Sequence, residues 1–260
     1  MMRLSIITPT LNQGPLLRRT ARSILDQRGA FDLEWIVVDG GSTDETLDFL
    51  RSLEDERVRF VSEADGGQSD AINKGLAMAG GEVVAWLNSD DLYAEGALDA
   101  VAGAFASHPE AQWLVGQCDI IDANDREIRR AVTRYKNRKL IRYNYRKLLR
   151  ENFISQPAVF WRRRFGEQIG PLDESLHYTM DYDLWLRMGR ASPPLVLNRL
   201  LAHFRFHPAS KSGQVNRRQF DEGYEVALRH VHGDRTSQLA HRLNVEKIVW
   251  TYRLMRMIAR

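Results

Sequence analysis

The sequence predicts an α/β fold: a mostly parallel, doubly wound sheet flanked by helices, with a C-terminal helical extension. Three observations lead there. Short apolar runs of strand character alternate with amphipathic stretches from residue 3 to about residue 121. One run, Val83-Val84-Ala85-Trp86-Leu87, is apolar throughout, the pattern of a strand covered on both faces. Each run also ends in a polar loop, and an open parallel sheet binds its ligand beyond the carboxyl ends of its strands.

In order, residues 3–8 form the first strand, stopped by Pro9, and Leu16, Leu17, Ala21, Ile24 and Leu25 recur at helical spacing over 14–27. The second strand, 33–38, ends at Asp39-Gly40-Gly41, and Ser42-Thr43-Asp44-Glu45 has the form of a capping box, with Ser42 at N-cap, opening a helix to about Leu53. A third strand, 57–62, leads through Asp65-Gly66-Gly67-Gln68-Ser69-Asp70 into a helix that ends at Gly80-Gly81. The fourth strand, 83–87, runs directly into Asn88-Ser89-Asp90-Asp91. A further strand over 112–121 holds Cys118, and beyond it the alternation stops. Pro157 predicts an edge strand or a loop over 154–161. Acids in the first turn and apolar Leu184, Trp185 and Met188 predict a helix start near Asp181, which suits a dipole-stabilising cap as well as a functional carboxylate. Residues 195–206 read as a strand whose alternation puts His203, Arg205 and His207 on one side. From about 215 to 260 the pattern is helical, with Leu239, Leu243, Val245, Ile248, Val249, Tyr252, Leu254, Met255 and Ile258 spaced for packing.

Composition narrows the chemistry. The 260 residues, 43% hydrophobic, suffice for one large domain with a small appendage. A single cysteine excludes a disulfide framework and a Cys-rich zinc site, and fits a reducing compartment. The N-terminus lacks a signal-peptide run, and no apolar stretch of about 18 residues occurs, so the expected location is cytoplasmic, either soluble or peripheral on the membrane face. The loop Thr10-Leu11-Asn12-Gln13-Gly14 lacks the Gly-x-Gly-x-x-Gly fingerprint, and no phosphate-binding Gly-x-x-x-x-Gly-Lys loop is present. Any nucleotide phosphate therefore needs a cation, and the adjacent carboxylates Asp90 and Asp91 would hold one; as turn and cap residues they also have a purely structural use. Residues 126–150 carry eleven Lys or Arg against the single acid Glu127, a local charge of +10 that leaves the remainder of the chain at −7. That block suits an anionic membrane surface, a phosphorylated acceptor or nucleic acid, or else a solvated helix face.

Six segments in this order resemble the family 2 inverting glycosyltransferases with the GT-A fold, over about residues 3–212. They are Ser5-Ile6-Ile7-Thr8-Pro9-Thr10-Leu11-Asn12, Val37-Val38-Asp39-Gly40-Gly41-Ser42-Thr43-Asp44, the turn and helix from Asp65-Gly66-Gly67 to Asn73-Lys74-Gly75, Leu87-Asn88-Ser89-Asp90-Asp91, Met180-Asp181-Tyr182-Asp183-Leu184-Trp185, and Arg205-Phe206-His207-Pro208-Ala209-Ser210. The resemblance implies a nucleotide-diphospho-sugar transferase, with 1–121 as the donor half, 122–212 as the half carrying the acceptor and base, and 213–260 as the helical extension. Thr8, Pro9 and Thr10 would line base and ribose, Asp39 would accept a hydrogen bond from the base, and Asp65 or Lys74 would reach base or phosphates. Asn12, Gly41, Ser42, Gln68, Asn73, Ser89 and Asp90 complete the implied nucleotide set.

Asn88-Ser89-Asp90-Asp91 stands where the family has Asp-x-Asp, with Asn88 in place of the first acid, so either Asp90 or Asp91 would grip Mn2+ or Mg2+. His207 matches a histidine that approaches the metal or diphosphate. Asp181 matches the catalytic base, with Met180 in place of the preceding Glu, and Gln156, Arg205 and Trp185 would contact acceptor or diphosphate. The implied partners are a sugar nucleotide, with UDP as the nucleotide the family uses most, and a saccharide or lipid-linked acceptor; 126–150 would meet an anionic acceptor or the anionic membrane carrying it. A nucleotidyltransferase would need a basic glycine-rich loop after the first strand, which 10–14 lacks. A non-catalytic nucleic-acid or membrane module would leave the strand-end acids unexplained, since they repel phosphate backbones, and no nucleic acid is expected.

Overall fold

A computed structural model describes residues 1–207, 217–231, 236 and 238–246. The first half is a regular alternation: β1 (Met2–Thr10), α1 (Gly14–Leu25), β2 (Phe31–Asp39), α2 (Thr46–Arg51), β3 (Val58–Ser62), α3 (Gln68–Met78) and β4 (Val83–Trp86). Then come a short β5 (Leu92–Tyr93), α4 (Ala97–Ser107), β6 (Trp113–Ile121), the basic helices α5 (Arg130–Ile141) and α6 (Tyr145–Leu148), β7 (Val159–Arg162), α7 (Arg163–Ile169), α8 (Met180–Ala191), β8 (Leu195–Arg205) and α9 (Arg217–His230). Residues 238–246 are again helical, whereas Pro208, Ala209, Ser210 and the apolar positions from Ile248 to Ile258 lie outside the described residues.

Among the described residues the strands form one sheet of order β3-β2-β1-β4-β7-β6-β8-β5. The block β3-β2-β1-β4 is parallel, so Thr10, Asp39, Ser62 and the residues after Trp86 emerge at one rim. From Leu4 to Thr10 and from Leu33 to Asp39 every residue is buried, because both faces are covered. Leu17, Ala21 and Ile24 of α1, Phe49 and Leu50 of α2, and Leu98, Val101 and Phe105 of α4 pack on one face. Ala71 and Ile72 of α3, Leu140 of α5, and Leu184, Trp185 and Met188 of α8 pack on the other. Among the described residues no helix is long and apolar enough to cross a membrane.

Three expectations are corrected. Pro9 does not stop β1, which pairs through it with Val38 and ends at Thr10. The segment 154–161 supplies no edge strand: β7 lies inside the sheet, antiparallel to both β4 and β6. Pro157 is harmless there because it sits in a 3-10 turn, Gln156–Ala158, that finishes before the strand needs its N–H groups. Ser42 is not a helix cap either. α2 starts at Thr46, whose N–H is taken by Asp44 Oδ1 at 3.0 Å, while Ser42 turns back to Asp39.

Candidate active site

The end of β4 carries the acids. Asp91 is fully buried; its Oδ1 accepts the backbone N–H of Arg205 at 2.8 Å and its Oδ2 accepts Asn88 Nδ2 at 3.2 Å. Burial first, and then the neighbouring Asp90 charge, push its carboxyl well above the ordinary range. Asp90 is the acid on the open side, with its Oδ2 3.0 Å from His207 Nε2. The loop is held from below by Thr20 of α1, whose Oγ1 lies 2.9 and 2.8 Å from the carbonyls of Ser89 and Asp91. From the sides, Gln68 Nε2 donates to Asn88 Oδ1 at 2.8 Å, Asn88 Nδ2 lies 3.2 Å from Gln156 Oε1, and Gln156 Nε2 donates to the Trp86 carbonyl at 2.7 Å. Gln68, Asn88, Ser89, Asp90, Gln156 and His207 are thus gathered at one strand end.

The ends of β1 and β2 form the adjoining wall. Thr8 Oγ1 accepts the Trp35 indole N–H at 2.9 Å, and buried Thr10 follows it beyond Pro9. Asp39 is fully buried; its Oδ2 accepts the N–H groups of Gly41 and Ser42 and the Ser62 hydroxyl at 3.1, 2.9 and 2.7 Å, and its Oδ1 accepts the Ser42 hydroxyl. Gly41, at φ +87, allows that tight return. Asn12 spans the wall: its N–H donates to Ser42 Oγ at 2.7 Å and its Oδ1 accepts the Thr43 N–H at 2.8 Å. Asp65 lies against Gly40, where a Cβ would stand 2.7 Å from its Oδ2.

Asp181 sits in the first turn of α8, half-buried, with its Oδ1 accepting the Tyr182 N–H at 2.7 Å and Asn152 Nδ2 3.5 Å from its Oδ2. Burial raises its carboxyl above the usual range, against the opposing Tyr182 N–H, the Lys136 ammonium and Asn152. Lys136 comes from the buried face of α5, with its Nζ 3.5 Å from the Ile154 carbonyl. One segment links Asp181 to the acid loop: Asn152 touches Asp181 and Gln156 touches Asn88, and the Cα atoms of Asn152 and Gln156 are at most about 14 Å apart.

Other expected site residues are employed elsewhere. Trp185, expected against acceptor or diphosphate, is a fully buried core residue stacked on Trp86 with ring centroids 5.5 Å apart. Arg205 is 1% exposed; its Nε and Nη1 donate to the carbonyls of Asp90 and Asp122, both at 2.7 Å, and its Nη2 pairs with Asp125 at 2.6 Å. His203, expected beside Arg205 and His207, pairs with Asp119 at 2.7 Å. Asn73 ties α3 to the backbone of Leu172 at 2.9 Å, and Lys74 pairs with Glu63 and Asp70 at 2.9 and 3.2 Å. The roles of Thr20 and Asn152 were missed, and a lone polar residue on an amphipathic pattern carries no signal for either.

The donor set fits a hard cation only in one form. Among the described residues no three acidic, His or Cys side chains converge. Asp91, expected as a metal ligand, has both oxygens turned into the core, whereas Asp90 and His207 present an oxygen and an imidazole nitrogen together. Such a pair suits an ion that completes its shell with phosphate oxygens. Two open hollows of about 510 and 460 Å³, lined by residues such as Arg28, Asp32 and Arg57 or Arg22, Tyr93 and Glu95, include none of the expected site residues.

The profile of the family described as Glycosyl transferase family 2 matches residues 5–168. A PGL/p-HBAD biosynthesis glycosyltransferase of Mycobacterium tuberculosis is 33% identical over 201 residues, 74% of this chain and 71% of that protein. An uncharacterized glycosyltransferase of Nostoc sp. is 34% identical over 177 residues, 66% of this chain and 54% of that protein. The chain therefore spans from about half to seven tenths of the length of these two relatives. Among solved structures, S. aureus TarS 1-349 in complex with UDP-GlcNAc superposes with a TM-score of 0.67 at 18% identity, covering 92% of this chain and 69% of that one. Mannosyltransferase PcManGT from Pyrobaculum calidifontis, in complex with GDP-Man and Mn2+, gives 0.66 at 19% identity, covering 88% and 64%. At such identities the likeness is one of fold.

Proposed function

Because this chain belongs to glycosyl transferase family 2 and has the GT-A fold, we propose that it moves a sugar, with inversion, from a nucleoside-diphosphate donor to an acceptor hydroxyl. The observation that carries the reading is the half-buried Asp181 carboxylate, joined by the 152–156 segment to the rim where Asp90 meets His207. The acceptor oxygen bonds to the anomeric carbon as the bond from that carbon to the diphosphate oxygen breaks. The hydroxyl proton passes to Asp181, and the electron pair leaves with the nucleoside diphosphate. Asp90 and His207 would hold Mn2+ or Mg2+, which when bound neutralises charge on the diphosphate. The β1 and β2 ends would take base and ribose, and Gln68, Asn88 and Gln156 would keep the Asp90 loop in place.

A UDP-sugar is the preferred donor, since TarS was solved with UDP-GlcNAc; the GDP-Man complex of PcManGT makes GDP-mannose the second choice. The acceptor is a saccharide or lipid-linked glycan of cell-surface polysaccharide or glycolipid synthesis, a reading supported by the name of the mycobacterial relative. Helix α5 supports peripheral contact with an anionic membrane on the cytoplasmic side: exposed Arg134 and Arg138, with Arg142 just past its end, lie beside Tyr135 and Ile141, 49% and 50% exposed.

The test is turnover of UDP-GlcNAc, UDP-glucose and GDP-mannose with Mn2+, for the wild type and Asp181→Asn. We expect the variant to lose about 100- to 10,000-fold in kcat while its donor affinity stays within about twofold. Wild-type turnover by Asp181→Asn would remove the base from the mechanism.

A further inference from the structure

Helix α8 carries Asp181 in its first turn yet has no side-chain cap of its own at Thr179. The carboxylate that occupies this end comes from α9, more than forty residues along the chain. Glu222 Oε1 accepts the N–H groups of Tyr178 and Thr179 and the Thr179 hydroxyl, all at 2.8 Å, and its Oε2 accepts the His177 N–H at 3.2 Å. Burial alone would raise the Glu222 carboxyl, but these donors hold it below its usual range, so it is ionised at neutral pH. Two turns further along α9, His230 Nε2 lies 3.1 Å from Asp183 Oδ1, and Arg229 pairs with Asp173 at 2.9 Å. The base is therefore bracketed: α9 grips the backbone at 177–179 before it and the Asp183 side chain after it.

We propose that Glu222 is a positioning residue for Asp181, fixing the 177–179 backbone so that the carboxylate two residues on is aimed at the acceptor hydroxyl. The inference rests on the reading of Asp181 as base. Consecutive N–H groups held on one carboxylate remove the freedom of the chain entering α8, and misplacing a reacting group by about 1 Å costs on the order of 100-fold in rate. Donor binding lies on other elements, at the β1, β2 and β4 ends, and is left intact when Glu222 is changed.

The test uses the full chain with the sugar nucleotide of the panel UDP-GlcNAc, UDP-glucose and GDP-mannose that is consumed fastest, comparing wild type, Glu222→Ala, Glu222→Gln and Asp181→Asn. For Glu222→Ala we expect kcat to fall about 10- to 100-fold with donor KM within about twofold. The acid limb of its pH profile should move upward, because a loosened Tyr182 N–H no longer offsets the burial that raises Asp181. Glu222→Gln, whose amide oxygen still accepts, should recover most of the lost rate. A folded Glu222→Ala with wild-type kcat and an unmoved acid limb, beside an inactive Asp181→Asn, overturns the positioning role alone. A fall in kcat that only follows the folded fraction by near-UV circular dichroism, with no shift of the limb, overturns it as well. Full activity in Asp181→Asn overturns the base and this inference together.

Discussion

Replacing Arg205 by methionine distinguishes a scaffold guanidinium from one that meets the donor. The side chain is 1% exposed, and its Nε and Nη1 each donate at 2.7 Å to a carbonyl, those of Asp90 and Asp122. Hydrogen bonds to a charged partner contribute roughly 1.5–3 kcal/mol each, so losing two costs about 3–6 kcal/mol. The ion pair with Asp125, a half-exposed partner, adds at most about 1 kcal/mol, and the apolar methionine side chain restores about 1–2 kcal/mol. At the middle of these ranges the net loss is about 3.5 kcal/mol, a large part of the roughly 5–15 kcal/mol that keeps a typical domain folded. Urea denaturation followed by fluorescence should show the midpoint falling by about 1–2 M for a slope near 2–3 kcal/mol/M. Donor affinity, measured by calorimetry well below that midpoint, should change little. An unchanged midpoint with donor binding abolished would show that the guanidinium serves the diphosphate and that the scaffold reasoning is wrong.

The two adjacent acids should separate cleanly. Asp90→Ala should lose the Mn2+-dependent part of donor affinity, the same loss expected when EDTA is added to the wild type, whereas Asp91→Asn should keep it within a few-fold. The opposite ranking in a calorimetric titration would mean that Asp91 turns outward when the ion binds. On and just after α5, Arg134→Gln, Arg138→Gln and Arg142→Gln combined should weaken sedimentation with phosphatidylglycerol vesicles by about 3 kcal/mol, near 100-fold, at low salt. Binding that is equal on neutral vesicles, or indifferent to salt, would exclude the electrostatic contact.

Within the parallel half of the sheet, β4 was the most legible strand, because it is buried on both faces and announces itself as the unbroken apolar run Val83-Val84-Ala85-Trp86-Leu87, whereas β3 at the edge is largely exposed. The polar strand ends were legible for the same reason: the chain changes character where it leaves the core. The interior place of β7 was not, since strand order is set by distant partners and Pro157 argued locally for an edge. Ser42 misled because a capping-box spacing is satisfied equally well by a side chain that folds back on Asp39. Trp185 and Arg205 stand in segments that resemble the family's site, but resemblance does not say which way a side chain points, and both point inward. Glu222 had no signal at all, being one acid among several on an amphipathic helix.

The place of β8 has a consequence for how the chain is made. This strand, residues Leu195–Arg205, lies between β6 and β5, and its last residue supplies the N–H that holds Asp91. A nascent chain halted near residue 168, where the family profile ends, would present β6 with one open edge and β5 with no neighbour. On the ribosome, closure of the acid loop must therefore wait for synthesis to pass Arg205, and until then one edge of β6 stays unpaired.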